Sequence, residues 1–331
     1  MTTEPSLDDD SGAYGVTELN AGGPNGIAMA YGLLADEWSL WIVHQALRGA
    51  THYTDWVHRG PIPGSALTSR LTSLVEGRVL AKTQYSSRPV RHEYRLTPRG
   101  RQAWPILIAM WAWEKRWVEV ANVELPHMRH TTCGADFEPL LTCSSCHGVA
   151  SWENLTGAPG PSGAWHRNMP TNARRQRSRG DKRPDDVVNE TMELIGNRWS
   201  MSILGAALQG MTRFSDIQRN LSASPTVVAD RLRVFGELGV LTQVPSLHRP
   251  DRSEYRLTAK GKAFLPVALL MIEWGQRWFQ APEGPALVLT HNPCGATLSS
   301  RLACSECMEP LRGFTIETVR SGRAPSTERL L

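Results

Sequence analysis

The chain has 331 residues, of which 41% are hydrophobic, enough to bury two or more modest cores. A formal charge of +4 and a pI near 8.8 are too mildly basic to indicate nucleic acid by themselves, so the placement of the arginines has to carry any such argument. Asp8, Asp9 and Asp10 stand where a signal sequence would need an apolar core, and no run reaches the length of a membrane span, so a soluble, cytoplasmic protein with reduced thiols is expected.

Residues 1–23, rich in small and acidic side chains, read as a disordered tail. Residues 24–121 form a first module that recurs further along the chain. Sliding the sequence by 161 positions superposes Trp38-Ser39 on Trp199-Ser200, Gly49 on Gly210, Arg70-Leu71 on Arg231-Leu232 and Val79-Leu80 on Val240-Leu241. The same shift places Glu93-Tyr94-Arg95-Leu96-Thr97 on Glu254-Tyr255-Arg256-Leu257-Thr258, Trp113 on Trp274 and Trp117 on Trp278, without a gap. Agreement at one offset, rare tryptophans included, marks an internal duplication.

In the first copy Pro61, Pro63 and Gly64 crowd the turn before a helix that carries Ser65, Ser69 and Thr72 on its outer face. A hairpin with Arg88 and Arg91 near its tip follows. Thr97 then caps a long helix in which Ile106, Met110, Trp113 and Trp117 recur at three- and four-residue steps. That spacing fits either a core-facing side or a seam joining two repeats or two chains. Pro105 predicts a kink or a break there.

Residues 122–149 contain His130, Cys133, Cys143 and Cys146, which the offset matches to His291, Cys294, Cys304 and Cys307. Each copy therefore reads His-x2-Cys-x9-Cys-x2-Cys, two close pairs that a short arm could bring around one tetrahedral zinc, giving a zinc-ribbon-like module with one structural ion in each copy. His127 and His147 are rival fourth ligands in the first copy, but only His130 has a counterpart. Disulfides would need an oxidising compartment, and buried free cysteines would not need the CxxC spacing twice.

Residues 150–184 are rich in glycine, proline and serine, then in arginine, and read as a basic flexible linker, either a solvated spacer or an auxiliary phosphate contact. Its end-to-end distance is on the order of 30 Å, close to the roughly 34 Å between half-sites one DNA turn apart.

The second copy, residues 185–282, is the clearer text. Leu194, Ile195, Trp199, Ile203, Leu204, Ala207 and Leu208 predict a first helix, stopped at Gly210. Phe214, Ile217 and Leu221 predict a second, and Ser224-Pro225 starts a third. On that third helix Val228, Leu232 and Phe235 share one face, with Thr226, Asp230 and Arg233 opposite. Val240 to Val244 and Ser253 to Leu257 predict a hairpin whose tip carries Arg249 and Arg252. A long helix from Thr258 carries Val267, Met271, Trp274 and Trp278, with Pro266 inside it. Residues 283–312 repeat the cysteine module and 313–331 read as a tail. The predicted architecture is mainly α with small β-hairpin wings, in an order used by winged helix-turn-helix proteins to place a helix in the major groove.

The segments Leu194-Ile195-Gly196, Arg198-Trp199-Ser200, Arg213-Phe214-Ser215, Arg231-Leu232-Arg233, Leu238-Gly239-Val240-Leu241 and Glu254-Tyr255-Arg256-Leu257-Thr258 closely resemble the HxlR-type winged helix-turn-helix transcription regulators. The likeness covers about a hundred residues per copy and is more worn in the first, where Asp36-Glu37 replaces Asn197-Arg198. It implies a cytosolic regulator of double-stranded DNA that works as a homodimer through its first and last helices. With two units in one chain, an internal pseudo-dimer is expected, although the long helices could also pair two chains. The cysteine that family members often carry before the first helix is missing from Gly22–Leu33 and from Asp185–Leu194, so sensing through it is not expected.

The expected DNA contacts are Ser65, Ser69, Thr72, Arg88 and Arg91 in the first module and Thr226, Asp230, Arg233, Arg249 and Arg252 in the second. Arg70 and Arg231 sit beside the buried face, where an ion pair or a phosphate contact would suit them. The rival function is a zinc-stabilised protein-interaction scaffold with degenerate winged helices. No HExxH motif or nucleophile elbow appears, so an enzyme is not expected. Nothing in the sequence identifies an effector.

Overall fold

The computed structural model describes residues 15–118, 125–170, 189–196, 198–246, 252–319 and 327–329. β1 (Thr17–Glu18) leads into α1 (Gly26–Leu34), α2 (Glu37–Leu47), α3 (Tyr53–Arg59) and α4 (Gly64–Glu76). The hairpin of β2 (Leu80–Ser87) and β3 (Val90–Leu96) follows, then α5 (Pro98–Arg101), α6 (Trp104–Trp117), β4 (His127–His130), β5 (Pro139–Cys143) and β6 (Leu155–Pro159). The second copy runs α7 (Asn189–Ile195), α8 (Arg198–Leu208), α9 (Phe214–Leu221), α10 (Pro225–Glu237), β7 (Leu241–Pro245), β8 (Ser253–Leu257), α11 (Ala259–Lys262) and α12 (Leu265–Trp278). It closes with β9 (Phe279–Gln280), β10 (Leu287–His291), β11 (Ala296–Thr297), β12 (Ser300–Cys304), β13 (Ile316–Val319) and β14 (Thr327–Arg329). No helix among the described residues is long and apolar enough to cross a membrane.

Local chemistry sets most boundaries. Ser224 accepts from the Val227 amide and Pro225 opens α10, so the predicted start holds. Thr97 and Thr258 accept from the amides of Gly100 and Gly261 at 3.2 and 3.1 Å. Each long helix breaks before its proline, giving α5 and α6 in one copy and α11 and α12 in the other, because proline cannot supply the amide that continues the ladder. The single helix expected from Leu194 to Leu208 is instead α7 and α8, interrupted after Ile195. Gly196, which costs a helix roughly 1 kcal/mol relative to alanine, marks the interruption, and the apolar period simply resumes beyond it.

The tryptophan stripes form a seam between the copies. Helices α6 and α12 pack on each other and bury Ile106, Met110 and Trp113 with Val267, Met271 and Trp274, each large side chain contributing roughly 1.5–3 kcal/mol of transfer free energy. Outside this pair, α1 packs on α12 and α7 on α6, so each copy's first helix lies on the other copy's last. Gly26 and Gly275 bring α1 and α12 into backbone contact: a Cβ on Gly275 would stand 2.2 Å from the Gly26 carbonyl oxygen.

The copies also exchange strands. β5 pairs antiparallel with β12, β6 with β10, and β4 with β13, so each of these three pairings joins one copy to the other.

Three composition-based expectations give way here. Residues 15–23, expected in a tail, include β1, which lies parallel to β9, with Thr17 beside Phe279. The reason is buried Arg99, whose guanidinium needs acceptors and finds them in the Gly15 carbonyl and Thr17 hydroxyl at 3.0 Å and in the Gly77 carbonyl at 2.7 Å. Residues 150–170, expected in a linker, carry β6 and tie down α1: the Asn25 side chain donates to the Ser162 carbonyl at 2.8 Å, and Arg167 donates to the Gly23 carbonyl at 2.7 Å. Residues 171–184 of that linker lie outside the described residues. The C-terminal stretch expected from 313 contains β13 and β14, which extend the sheet begun by β4.

Candidate nucleic-acid interface and metal centres

The outward faces of α4 and α10 differ in kind. On α4, Leu67, Leu71 and Leu74 are buried, while Ser65, Ser69 and Thr72 are exposed as expected, together with Thr68, which the offset to Ala229 had hidden. The Thr68 and Thr72 hydroxyls donate to the carbonyls of Gly64 and Thr68, both at 2.9 Å. From residue 64 to 75 this exposed face carries no charge. Arg70 lies to one side and is held bidentately by Asp36, at 2.6 and 2.9 Å; the same carboxylate caps α2 through the Ser39 amide. Arg70 is therefore a structural ion pair. Arg88 and Arg91 are exposed at the wing, beside Val90, which is 62% exposed.

On α10, Val228, Leu232 and Phe235 are buried and Thr226 and Arg233 are exposed, matching the helical wheel. Asp230 is half-buried and occupied. It accepts from buried Arg231 and from Arg233, the latter at 2.9 Å, and the Arg231 hydrogen bond does most to hold its carboxyl below the ordinary range. Glu237 takes a second side of the Arg233 fork. Arg252 is exposed, and Arg249 lies outside the described residues.

The eight predicted metal ligands gather into two clusters, with a partition the sequence reading did not anticipate. One holds His130 and Cys133 with Cys304 and Cys307; the other holds Cys143 and Cys146 with His291 and Cys294. The expectation of one site within each copy is corrected. The cause is β5, which is extended: four steps of about 3.4 Å carry Cys143 on the order of 14 Å along from Pro139. Antiparallel pairing sets Cys304 opposite Pro139 and Cys143 opposite Ser300, so each CxxC reaches the other copy's His-x2-Cys.

The geometry fits a tetrahedral ion. Zinc bonds of about 2.3 Å to sulfur and 2.0 Å to nitrogen imply ligand separations of roughly 3.8 Å between sulfurs and 3.5 Å between sulfur and nitrogen. Cys133 and Cys304 sulfurs are 3.9 Å apart, as are those of Cys143 and Cys294. The His130 Nδ1 lies 3.5 and 3.3 Å from Cys133 and Cys307, and the His291 Nδ1 lies 3.3 Å from both Cys146 and Cys294. Four turns shape the clusters. In each, the residue after the second ligand of a pair (Gly134, His147, Gly295, Met308) has φ between 60 and 74° and donates its amide four residues back. His147 is thus a turn residue outside either cluster, and His127 instead faces Asp136 at 4.0 Å. Burial holds His130 below the ordinary imidazole range, which favours the neutral form that can ligate. The Ala135 amide holds the Cys133 thiol low, while burial pushes Cys304 up to about 11.

Three helices, a two-stranded wing and a further helix, present twice, define a tandem winged helix-turn-helix protein. The HxlR-like helix-turn-helix family model matches residues 33–122 and 194–283, over half of the chain. The chain belongs to that family. Among its relatives, a helix-turn-helix transcriptional regulator of Mycobacterium tuberculosis (strain CDC 1551 / Oshkosh) is 37% identical over 126 residues, 38% of this chain and 80% of the relative. Another from Bacillus subtilis (strain 168) is 32% identical over 90 residues, 27% of this chain and 83% of its own length. The solved structure of PA1607, a proposed transcription factor, is 29% identical and covers 44% of this chain and 96% of its own, with a TM-score of 0.36.

Proposed function

We propose that the chain is a DNA-binding transcriptional regulator that offers its two winged-helix modules to one duplex as an intramolecular pseudo-dimer, with two structural zinc ions. The observation that carries this reading is the reciprocity of the seam, in which α1 lies on α12 and α7 on α6 around the α6–α12 contact. Self-complementary contact of that kind is the signature of a twofold assembly, achieved here within one polypeptide. The zinc sites are read as structural because each has four protein ligands and so no open position for substrate, which also argues against a zinc hydrolase.

Binding to random duplex DNA at two salt concentrations, with light scattering on the complex, tests the reading. One chain per duplex and a steep loss of affinity with salt are expected. Salt-insensitive or undetectable binding would overturn it. The uncharged face of α4 and the carboxylates around Arg233 favour a second reading, a zinc-stabilised protein-interaction scaffold, which predicts that negative result.

A further inference from the structure

We propose that each zinc ion is a joint between the two copies, bound by the His-x2-Cys of one and the Cys-x2-Cys of the other, so that the coupling of the two DNA-reading modules depends on metal. This rests on the regulator reading above and adds to it a mode of control.

The ligand turns are carried by strands of only four or five residues, β4, β5, β10 and β12. The β5–β12 ribbon has two strands of five residues, and isolated two-stranded ribbons are marginal in water. On the ribbon itself Leu141 and Leu302 are the large buried apolar side chains, with Met128, Phe137, Leu298, Leu311 and Ile316 buried around it, and modules of this size usually need a metal or disulfides in addition to such packing. The CxxC turns sit at opposite ends of the ribbon, so an ion at each end would pin both. The ribbon in turn rests on the long helices of the seam. The Glu273 carboxylate on α12 accepts from the Ser300 amide and hydroxyl, the latter at 2.8 Å, and Arg116 on α6 pairs with Glu138 at 3.4 Å. Metal at the ribbon ends therefore stiffens the frame that fixes the spacing of α4 and α10. Without metal the helical seam and the strand pairings remain, but the pins at the ribbon ends are gone and the brace loosens.

The partition is tested by counting zinc in the full chain. Wild type should hold two ions. C133S/C304S, which removes ligands from different copies but one cluster, should retain one ion; C133S/C143S, which removes ligands from a single copy, should retain none. The reverse pattern would overturn the proposal, and a wild-type chain with fewer than one zinc would defeat the zinc reading itself. Should a variant not fold, alkylation of the wild-type chain at one equivalent of zinc decides the point. Intact-protein fragmentation should find Cys133, Cys304 and Cys307 protected together, and protection of Cys133 with Cys143 and Cys146 would count against sharing.

The coupling is tested with a duplex enriched from a random library by the zinc-loaded chain, and with the same duplex carrying one scrambled half. The intact duplex should be preferred by at least about tenfold. Chelation should cut that preference severalfold and zinc alone should restore it. An unchanged preference in the metal-free chain would overturn the joint. No DNA binding by the zinc-loaded chain would sink the regulator reading and the coupling together, leaving the zinc count to stand alone.

Discussion

The Trp274 indole donates to the backbone carbonyl of Arg99 at 2.9 Å, and its counterpart Trp113, 161 residues earlier, donates to the carbonyl of Lys260, 161 residues after Arg99, at 3.0 Å. Each tryptophan crosses from one copy to the other, and each acceptor is its partner's counterpart. Trp274→Phe should keep most of the packing and leave one buried carbonyl without its donor, at a cost of about 1–3 kcal/mol. Trp113→Phe should cost a similar amount. Denaturant unfolding of both variants measures this, and a negligible loss in either would mean that the seam does not depend on these bonds.

The duplication made this seam partly legible, since Trp113 and Trp274 fell on equivalent helical stripes. What the stripe could not say was whether it faced a core, another repeat or another chain, because all three bury the same side chains. The histidines and cysteines show the same limit. Spacing picked out all eight side chains that the structure gathers into clusters, yet grouped them by closeness in sequence, because pairing between β5 and β12 is a non-local register that no local pattern encodes. The nine residues between Cys133 and Cys143 were the available clue, once read as an extended arm. On α4 and α10 the wheel placed the outward residues correctly but could not foresee that Asp230 would spend its oxygens on neighbouring arginines.

The N-terminal segment was misjudged for want of the same long-range information, and Arg99 supplies a test. Its guanidinium lies over the Phe279 ring, 4.4 Å from the centroid, and burial lowers its pKa to about 10. Deleting residues 1–18 removes the acceptors supplied by Gly15 and Thr17. A loss of about 1–3 kcal/mol is expected, the cost of a charged group left short of partners. If thermal and chemical stability are unchanged, β1 contributes nothing to the fold.

The α1–α12 crossing gives a steric prediction. Gly275→Ala places a methyl group against the Gly26 backbone, which cannot yield as a side chain could, so the helices must separate. A loss of about 1–3 kcal/mol is expected, typical of overpacking. The equivalent position in the first copy is Glu114, so alanine there would create space instead, and the two substitutions should act through opposite causes.

Glu114 also predicts a pH dependence. It is buried and accepts from the Thr191 amide at 2.6 Å and from the Thr191 hydroxyl; burial raises its pKa above the ordinary glutamate value despite those bonds. A carboxyl whose folded pKa is raised binds its proton more tightly in the native state. Its contribution therefore falls as pH climbs from the unfolded value through the folded one. Glu114→Gln, which stays neutral, should gain stability relative to wild type at neutral pH, and the gain should vanish below pH 4. Unfolding midpoints across that range check the sign, and a difference independent of pH would rule out the charge as its source.

The unlike faces of α4 and α10 predict an operator with unlike halves. The hydroxyl-bearing face of α4 suits apolar and shape readout, including thymine methyl groups, because it presents no fork for guanine. On α10 the Arg233 fork is available to a base only when Asp230 or Glu237 lets go, so Glu237→Gln should raise affinity while Arg233→Ala lowers it and relaxes preference at one base pair, by about 1–3 kcal/mol. Arg252→Ala should instead weaken binding to all sequences and reduce the salt slope by about one. Replacing Ser65, Ser69 and Thr72 by alanine should leave that slope unchanged while altering the preferred half-site. The decisive measurement is titration of three duplexes: the selected site, and a symmetric duplication of each half. The selected site should bind most tightly; equal affinity for all three would mean that the two faces, chemically distinct as they are, do not read DNA separately.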